Sequence, residues 1–246
     1  MVNDLVLDKN YKKGNKGKKV RLIQEWLCLH GLYVVIDGDF GPATDYGVRH
    51  FQSREGLKVD GIVGKKTFSR LILPITNALR PISPDKKSLG QMVVAYAGQH
   101  LKQRPREIGG QNKGPWVRLY MDGQEGPQWP WCASFVCFIL KQACQTLSMP
   151  LPITTSVSCD ILAASALEKG IFLKESEVVN KSQIRPGFLF LNRRKPADWV
   201  HTGIVIQPKE EIFLSIEGNT NDEGSHEGYD VCQRIRGYNN KDFIII

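Results

Sequence analysis

Pro130-Trp131-Cys132-Ala133-Ser134-Phe135-Val136 opens a run in which Val136, Ile139, Leu140, Ala143 and Leu147 return at three- and four-residue steps. That periodicity predicts an amphipathic helix over 133–147 with Cys132 in its first turn. Backbone N–H groups without intrahelical partners, together with the helix macrodipole, favour negative charge there. They can bring a thiol down from its ordinary value near ~8.5 toward neutrality, above all beside an imidazolium. The competing reading is a buried structural cysteine, since free cysteine is among the most buried residue types. The choice between the two rests on what lies downstream.

Trp199-Val200-His201-Thr202-Gly203-Ile204-Val205-Ile206 is rich in β-branched residues and predicts a strand opening at His201. Ile212-Phe213-Leu214-Ser215-Ile216-Glu217-Gly218-Asn219 alternates, so that Ile212, Leu214 and Ile216 share one face and Ser215, Glu217 and Asn219 the other. A thiol nucleophile needs a base within hydrogen-bond reach, and the base needs a third group that fixes its tautomer and stabilises the imidazolium. Cys132, His201 and Glu217 or Asn219 supply those residue types. Taken singly, His201 reads as a satisfied core or surface histidine, and Gly218-Asn219-Thr220-Asn221 reads as turn chemistry. Only the combination points to nucleophilic catalysis.

In these stretches the chain resembles the cysteine, histidine-dependent amidohydrolase/peptidase (CHAP) domains, papain-like enzymes that cleave peptidoglycan. The resemblance runs in the family's order through Arg106-Glu107-Ile108-Gly109-Gly110-Gln111-Asn112-Lys113-Gly114-Pro115, Gly126-Pro127, Pro130-Trp131-Cys132-Ala133, His201-Thr202-Gly203-Ile204-Val205 and Glu217-Gly218-Asn219-Thr220-Asn221. It covers residues 88–246. It implies that Cys132 is the nucleophile, His201 the general base and acid, Glu217 the residue that orients the imidazole, and Asn219 a further polar support. Two departures are small: Thr202 stands where valine is common, and Cys137 follows the nucleophile by a little more than one helical turn. The Cys132 backbone N–H is a natural oxyanion donor, with Gln128 or Asn112 as the candidate for a second.

Upstream, Asp37-Gly38-Asp39-Phe40-Gly41-Pro42-Ala43-Thr44 recurs as Asp60-Gly61-Ile62-Val63-Gly64-Lys65-Lys66-Thr67. Each copy marks a tight turn followed by a short core-facing helix carrying Val48 and Phe51, or Phe68, Leu71 and Ile72. Before them Val20, Ile23, Trp26, Leu27 and Leu29 follow helical spacing, with Gly17 and Gly31 as punctuation. Over 17–73, including Phe51-Gln52 and Gly56-Leu57, this resembles the small three-helix peptidoglycan-binding domain. The resemblance puts wall contacts near the repeated turns, with Asp37, Phe40, Tyr46 and Asp60 as candidates. For the aromatics Phe40, Tyr46 and Phe51 the core reading stands beside the contact reading.

The fold class expected is therefore α+β. A small three-helix binding domain occupies 1–76 (core 17–73), and a linker with Pro81 and Pro84 runs over 77–88. A papain-like catalytic domain follows over 89–246, with its cysteine-bearing helix packed on an antiparallel sheet. A chain of 246 residues with 41% apolar content has room for both. The formal net charge of +8 attracts polyanions, among them nucleic acid, anionic lipid and the acidic polymers of a bacterial wall. Lys9, Lys12, Lys13, Lys16, Lys18 and Lys19 form either a patch for such polymers or a solvated basic start.

No nucleic-acid motif accompanies that charge. The six cysteines and five histidines show no metal-ligand spacing, so neither metal nor cofactor is expected, and Cys137 and Cys144 read as free buried thiols. Met1-Val2-Asn3-Asp4-Leu5 lacks signal-peptide character and no stretch approaches about 18 apolar residues, so synthesis in a cytoplasm without a membrane span is expected. Together these readings predict a monomer acting on bacterial peptidoglycan through a Cys-His-Glu thioester mechanism. The bond is either that of an N-acetylmuramoyl-L-alanine amidase or of a stem or cross-bridge endopeptidase. The first expectation is a phage endolysin reaching the wall through a holin. Alternatives are an injected antibacterial effector with the same chemistry, a non-catalytic wall-binding protein, and a transamidase.

Overall fold

The structure, a computed structural model, describes residues 4–221 and 228–246. The Met1–Asn3 part of the N-terminal reading lies outside the described residues. Helices α1 (Lys18–Leu29), α2 (Pro42–Arg54), α3 (Lys65–Leu71), α4 (Leu73–Ala78), α5 (Leu89–Lys102), α6 (Pro115–Tyr120), α7 (Cys132–Leu147) and α8 (Cys159–Glu168) all precede the strands. The strands are β1 (Phe172–Leu173), β2 (Leu189–Lys195), β3 (Asp198–Pro208), β4 (Ile212–Thr220), β5 (Asp230–Gly237) and β6 (Lys241–Ile244). By contacts the chain forms two units, one of residues up to Leu79 with Arg106–Gly126, the other of Arg80–Pro105 with Pro127–Ile246. Among the described residues no helix is long and apolar enough to cross a membrane.

In the first unit α1 buries Val20, Ile23, Trp26 and Leu27 against Phe40, Val48, Phe51 and Leu71, as the helical spacing requires. The two repeated turns are built alike. Gln24 Nε2 donates to Asp37 Oδ1 (2.8 Å) and Thr44 Oγ1 (3.0 Å), while its Oε1 accepts the Gly38 N–H (2.7 Å). Gln52 repeats the pattern with Asp60 Oδ1 (3.0 Å), Thr67 Oγ1 (3.2 Å) and the Gly61 N–H (2.9 Å). Gly38 and Gly61 sit at φ 78° and 73°, a region that glycine enters without steric penalty. Each buried glutamine thus ties one turn to the start of the helix after it. Helix α4 follows α3 almost directly, so ordered structure runs into the stretch read as linker.

The sequence reading placed Arg106–Gly126 with the downstream domain, whereas its contacts are with the first unit. Arg118 is the reason: it pairs with Glu25 (2.6 Å), Asp4 (2.7 Å) and Glu125 (2.7 Å), and Trp116 packs edge-on against Trp26 at 6.3 Å.

The second unit is a six-stranded antiparallel sheet in the order β1-β6-β2-β3-β4-β5, with α5, α7 and α8 against it. Helix α5 starts at a capping box in which Ser88 and Gln91 satisfy each other's backbone N–H groups. Phe188, Phe190, Val205, Phe213, Tyr238 and Phe243 form an aromatic core, each large ring contributing about 1.5–3 kcal/mol by leaving water. Strand β3 starts at Asp198 rather than at His201, because Asp198 pairs with Lys195 across a two-residue turn. Central strands β3 and β4 are buried on both faces around His201 and Glu217, so the alternation read from the sequence does not separate core from solvent there.

Candidate active site

Cys132 is the first residue of α7, as the apolar spacing predicts, and is 4% exposed. Its position depends on β4. A Cβ on Gly218 would lie 2.7 Å from Phe135 Cβ and 2.8 Å from Trp131 Cζ3, so the absence of a side chain lets the first turn of α7 rest on the strand beside Glu217. His201 comes from β3, and its Nε2 lies 2.8 Å from Glu217 Oε2, with both side chains almost wholly buried.

Glu217 is held by more than the histidine. Arg236 on β5 donates from Nε to Oε1 (2.8 Å) and from Nη2 to Oε2 (2.6 Å), and the Ser215 hydroxyl donates to Oε1. Burial would push the carboxyl up, but the Arg236 guanidinium and His201 outweigh it and bring it down to about 2. Burial likewise opposes charge on His201, and the Cys132 and Glu217 anions overcome it, raising the imidazole to about 9. The Cys132 thiol is held well below its ordinary range by hydrogen bonding from Cys159 and by His201, against the effect of burial. These opposed shifts describe a thiolate–imidazolium pair. With Nε2 committed to Glu217, Nδ1 is the ring nitrogen left for the thiol, and its geometry falls short of a formed hydrogen bond.

Asn219 does not join this chain of contacts. Its backbone takes φ 56°, the β4–β5 register shifts between Glu217 and Thr220, and its buried side-chain amide bonds no described residue. The left-handed turn breaks the alternation that put Asn219 on the same face as Glu217. Gln128 is exposed in the loop before α7. Asn112 is buried in the first unit, where its N–H donates to Glu107 Oε2 (2.7 Å) and its carbonyl accepts from Gly126 N–H (2.7 Å). Both bonds are made by its backbone and hold the loop that carries it.

Sequence reasoning missed Arg236, Ser215 and Cys159. Ser215 was placed on the Glu217 face but given no task. Arg236 carried no local signal, because it reaches Glu217 only through the β4–β5 pairing. Cys159, whose sulfur lies 4.0 Å from that of Cys132, had one faint signal, its place after Ser158 at the start of a helix. Among the described residues no three His, Cys, Asp or Glu side chains converge as a metal-holding group.

Residues 16–71 match the family described as "Putative peptidoglycan binding domain". Over 62 residues the chain is 42% identical to the zinc D-Ala-D-Ala carboxypeptidase of Streptomyces albus G, and 39% identical to the spore cortex-lytic enzyme of Bacillus cereus. The matches take in 24% and 25% of this chain, and the chain spans about a quarter of the length of those relatives (24% of each). It is also similar to the solved N-terminal domain of SleB, at 35% identity over 27% of this chain and 93% of that one, with a TM-score of 0.27.

Within the peptidoglycan-binding domain the candidate wall contacts fall into three kinds. Phe40 is fully buried beneath α1, so it is a core residue and not a contact, as is Phe51. Asp37 and Asp60 hold the two turns through Gln24 and Gln52. Tyr46 is 72% exposed on α2 and stacks on His50. A groove of about 580 Å³ beside the first turn is lined by Lys16, Lys18, Arg21, Asp37 and Asp39.

Proposed function

We propose that this chain is a cysteine-dependent peptidoglycan hydrolase that cleaves an amide bond in the peptide part of the wall. The observation that carries the reading is the convergence of Cys132, His201 and Glu217, with the 2.8 Å His201–Glu217 contact buried behind a thiol whose pKa is held well below its ordinary value. The peptidoglycan-binding match over 16–71 supports the choice of polymer, as do the wall-directed names of the relatives. In this reading the downstream domain is a CHAP-like, papain-type module and the chain is a lytic enzyme of the endolysin kind, acting as a monomer after delivery to the wall.

The Cys132 sulfur attacks the carbonyl carbon, and the C–S bond forms as the carbonyl oxygen takes the negative charge. The Cys132 backbone N–H at the start of α7 stabilises that oxygen, with Gln128 as the second donor. His201 passes its proton to the departing amine and the C–N bond breaks, leaving a thioester. A water then loses its proton to His201 and attacks the thioester, the acid departs, and the thiolate returns. Glu217 keeps the ring oriented throughout, and Arg236 and Ser215 keep Glu217 in place. Asn219 is retained as a polar neighbour of the site.

Purified walls digested with wild type and with Cys132→Ala, followed by mass spectrometry of new termini, test the reading. Wild type should release fragments with new amine termini while the variant falls to background. If wild type binds the walls and no new terminus appears, the hydrolase reading fails.

A further inference from the structure

Cys159 is the first residue of α8, as Cys132 is of α7; the two sulfurs lie 4.0 Å apart and both residues are buried, at 6% and 4% exposed. The second thiol is fixed there by its neighbours. Asp160 Oδ1 accepts the Trp199 N–H (2.8 Å), which ties the first turn of α8 to β3 two residues before His201. The Cys137 thiol of α7 donates to the Ser156 carbonyl (3.5 Å), and Ser156 Oγ accepts the Ser158 N–H (3.1 Å), which anchors the approach to α8. We propose that Cys132 and Cys159 are a modification site: a hydroperoxide converts them to a disulfide, Cys159 acting as the resolving thiol, and this reversibly closes the site. Its effect on activity rests on the reading of Cys132 as nucleophile; the bond itself does not.

The Cys132 thiolate attacks one oxygen of the hydroperoxide. An S–O bond forms, the O–O bond breaks, and the alcohol (water, for hydrogen peroxide) leaves with a proton from His201. The Cys159 sulfur then attacks the resulting sulfenic acid; the S–S bond forms, the S–O bond breaks, and hydroxide leaves as water with the Cys159 proton. Two thiols are oxidised by two electrons in all and the peroxide is reduced. An S–S bond is about 2.05 Å long, so each sulfur needs to move by about 1 Å, within reach of small χ1 rotations at two helix starts.

Reactivity with peroxide follows thiolate character, which selects Cys132. Cys159 keeps its proton, because the Cys132 anion beside it and burial both push its thiol up. Burial also pushes Cys137 up to about 11 and Cys232 to about 12, so neither competes as the first thiol oxidised.

The test treats the reduced full chain with hydrogen peroxide and maps it without reductant, with fragmentation that separates Cys132 from Cys137 and Cys159 from Cys144. A Cys132–Cys159 crosslink, lighter by about 2 Da than the two thiols, and recovery of wall cleavage on adding dithiothreitol are expected. In Cys159→Ser the same treatment should carry Cys132 to sulfinic acid, with no recovery relative to that variant's own untreated rate. Peroxide-treated wild type carrying sulfinic Cys132 beside a free Cys159 thiol overturns the proposal, without relying on a variant that folds. A crosslink in a protein whose reduced form leaves walls intact upholds the disulfide and overturns the wall-hydrolase reading instead.

Discussion

Glu217 is fully buried yet ionised, and the residues that keep it so determine how the site responds to pH. Its carboxyl lies at about 2 against an ordinary 4.5, so the stability it contributes is present above about pH 4.5 and is lost as pH falls through about 2. His201 runs the other way. Raised from 6.5 to about 9, its contribution is complete below about pH 6.5 and is lost as pH rises through about 9. Cys132, held well below its ordinary 9, opposes this over the same range: thiolate and imidazolium carry one proton between them folded, and thiol and neutral imidazole carry one unfolded. Tm of the full chain should therefore stay level from about pH 7 to 9, and a decline there would show that the folded Cys132 keeps its proton. In the proposed hydrolase kcat/KM should fall near pH 9 as the imidazolium deprotonates, and on the acid side where Cys132 gains its proton. Arg236 sets the stiffness of this pair. Arg236→Met leaves Glu217 buried without its cation, a change that typically costs about 3–5 kcal/mol. It should also move the alkaline limb of the pH–rate profile upward, because Glu217 without Arg236 leans harder on the imidazolium, while Arg236→Lys reverses part of that shift. A profile unmoved by Arg236→Met would limit Arg236 to a structural role.

The contact between α7 and β4 transmits this chemistry to the fold. Gly218→Ala puts a methyl group 2.7 Å from Phe135 Cβ, so the helix start has to shift. Overpacking of this kind costs about 1–3 kcal/mol. The variant should unfold at lower temperature and lose wall cleavage by more than the stability change explains, because Cys132 rides on the displaced turn; an unchanged rate at room temperature would uncouple the two. Most of the elements behind this contact were legible in the chain. The apolar steps from Val136 to Leu147 gave α7 with Cys132 at its start, and the repeated Asp-Gly turns gave α2 and α3. What escaped was whatever depends on partners distant in sequence. Asn219 obeys the period-two alternation on paper, but a left-handed residue in the strand interrupts it. Arg106–Gly126 carries motifs of one module, yet Arg118 and Trp116 bind it to the other unit. Arg236 and Cys159 are ordinary residues locally and meet Glu217 and Cys132 only through strand pairing and the packing of α8.

At the scale of the whole molecule, the net charge of +8 has to act through particular side chains, and the lysines near the N-terminus divide. Lys16 pairs with Asp39 (2.7 Å), Lys9 lies 5.5 Å over the Tyr11 ring and Lys19 donates to the Val6 carbonyl (2.8 Å), whereas Lys12, Lys13 and Lys18 face solvent. Exposed charges attract polyanions over about 10 Å at 0.1 M salt and only about 3 Å at 1 M. If these lysines meet the acidic polymers of the wall, pull-down of the full chain by purified walls should weaken several-fold as salt rises across that range. Lys12→Gln/Lys13→Gln/Lys18→Gln should bind more weakly at low salt and show a shallower salt dependence. Walls stripped of their acidic polymers should retain the salt-independent part, because a module that recognises peptidoglycan itself loses nothing when those polymers go. Equal binding by wild type and the triple variant at every salt concentration would return the cluster to a solvated basic start. Wall recognition would then rest on the uncharged features of the domain, with the exposed Tyr46 first among them.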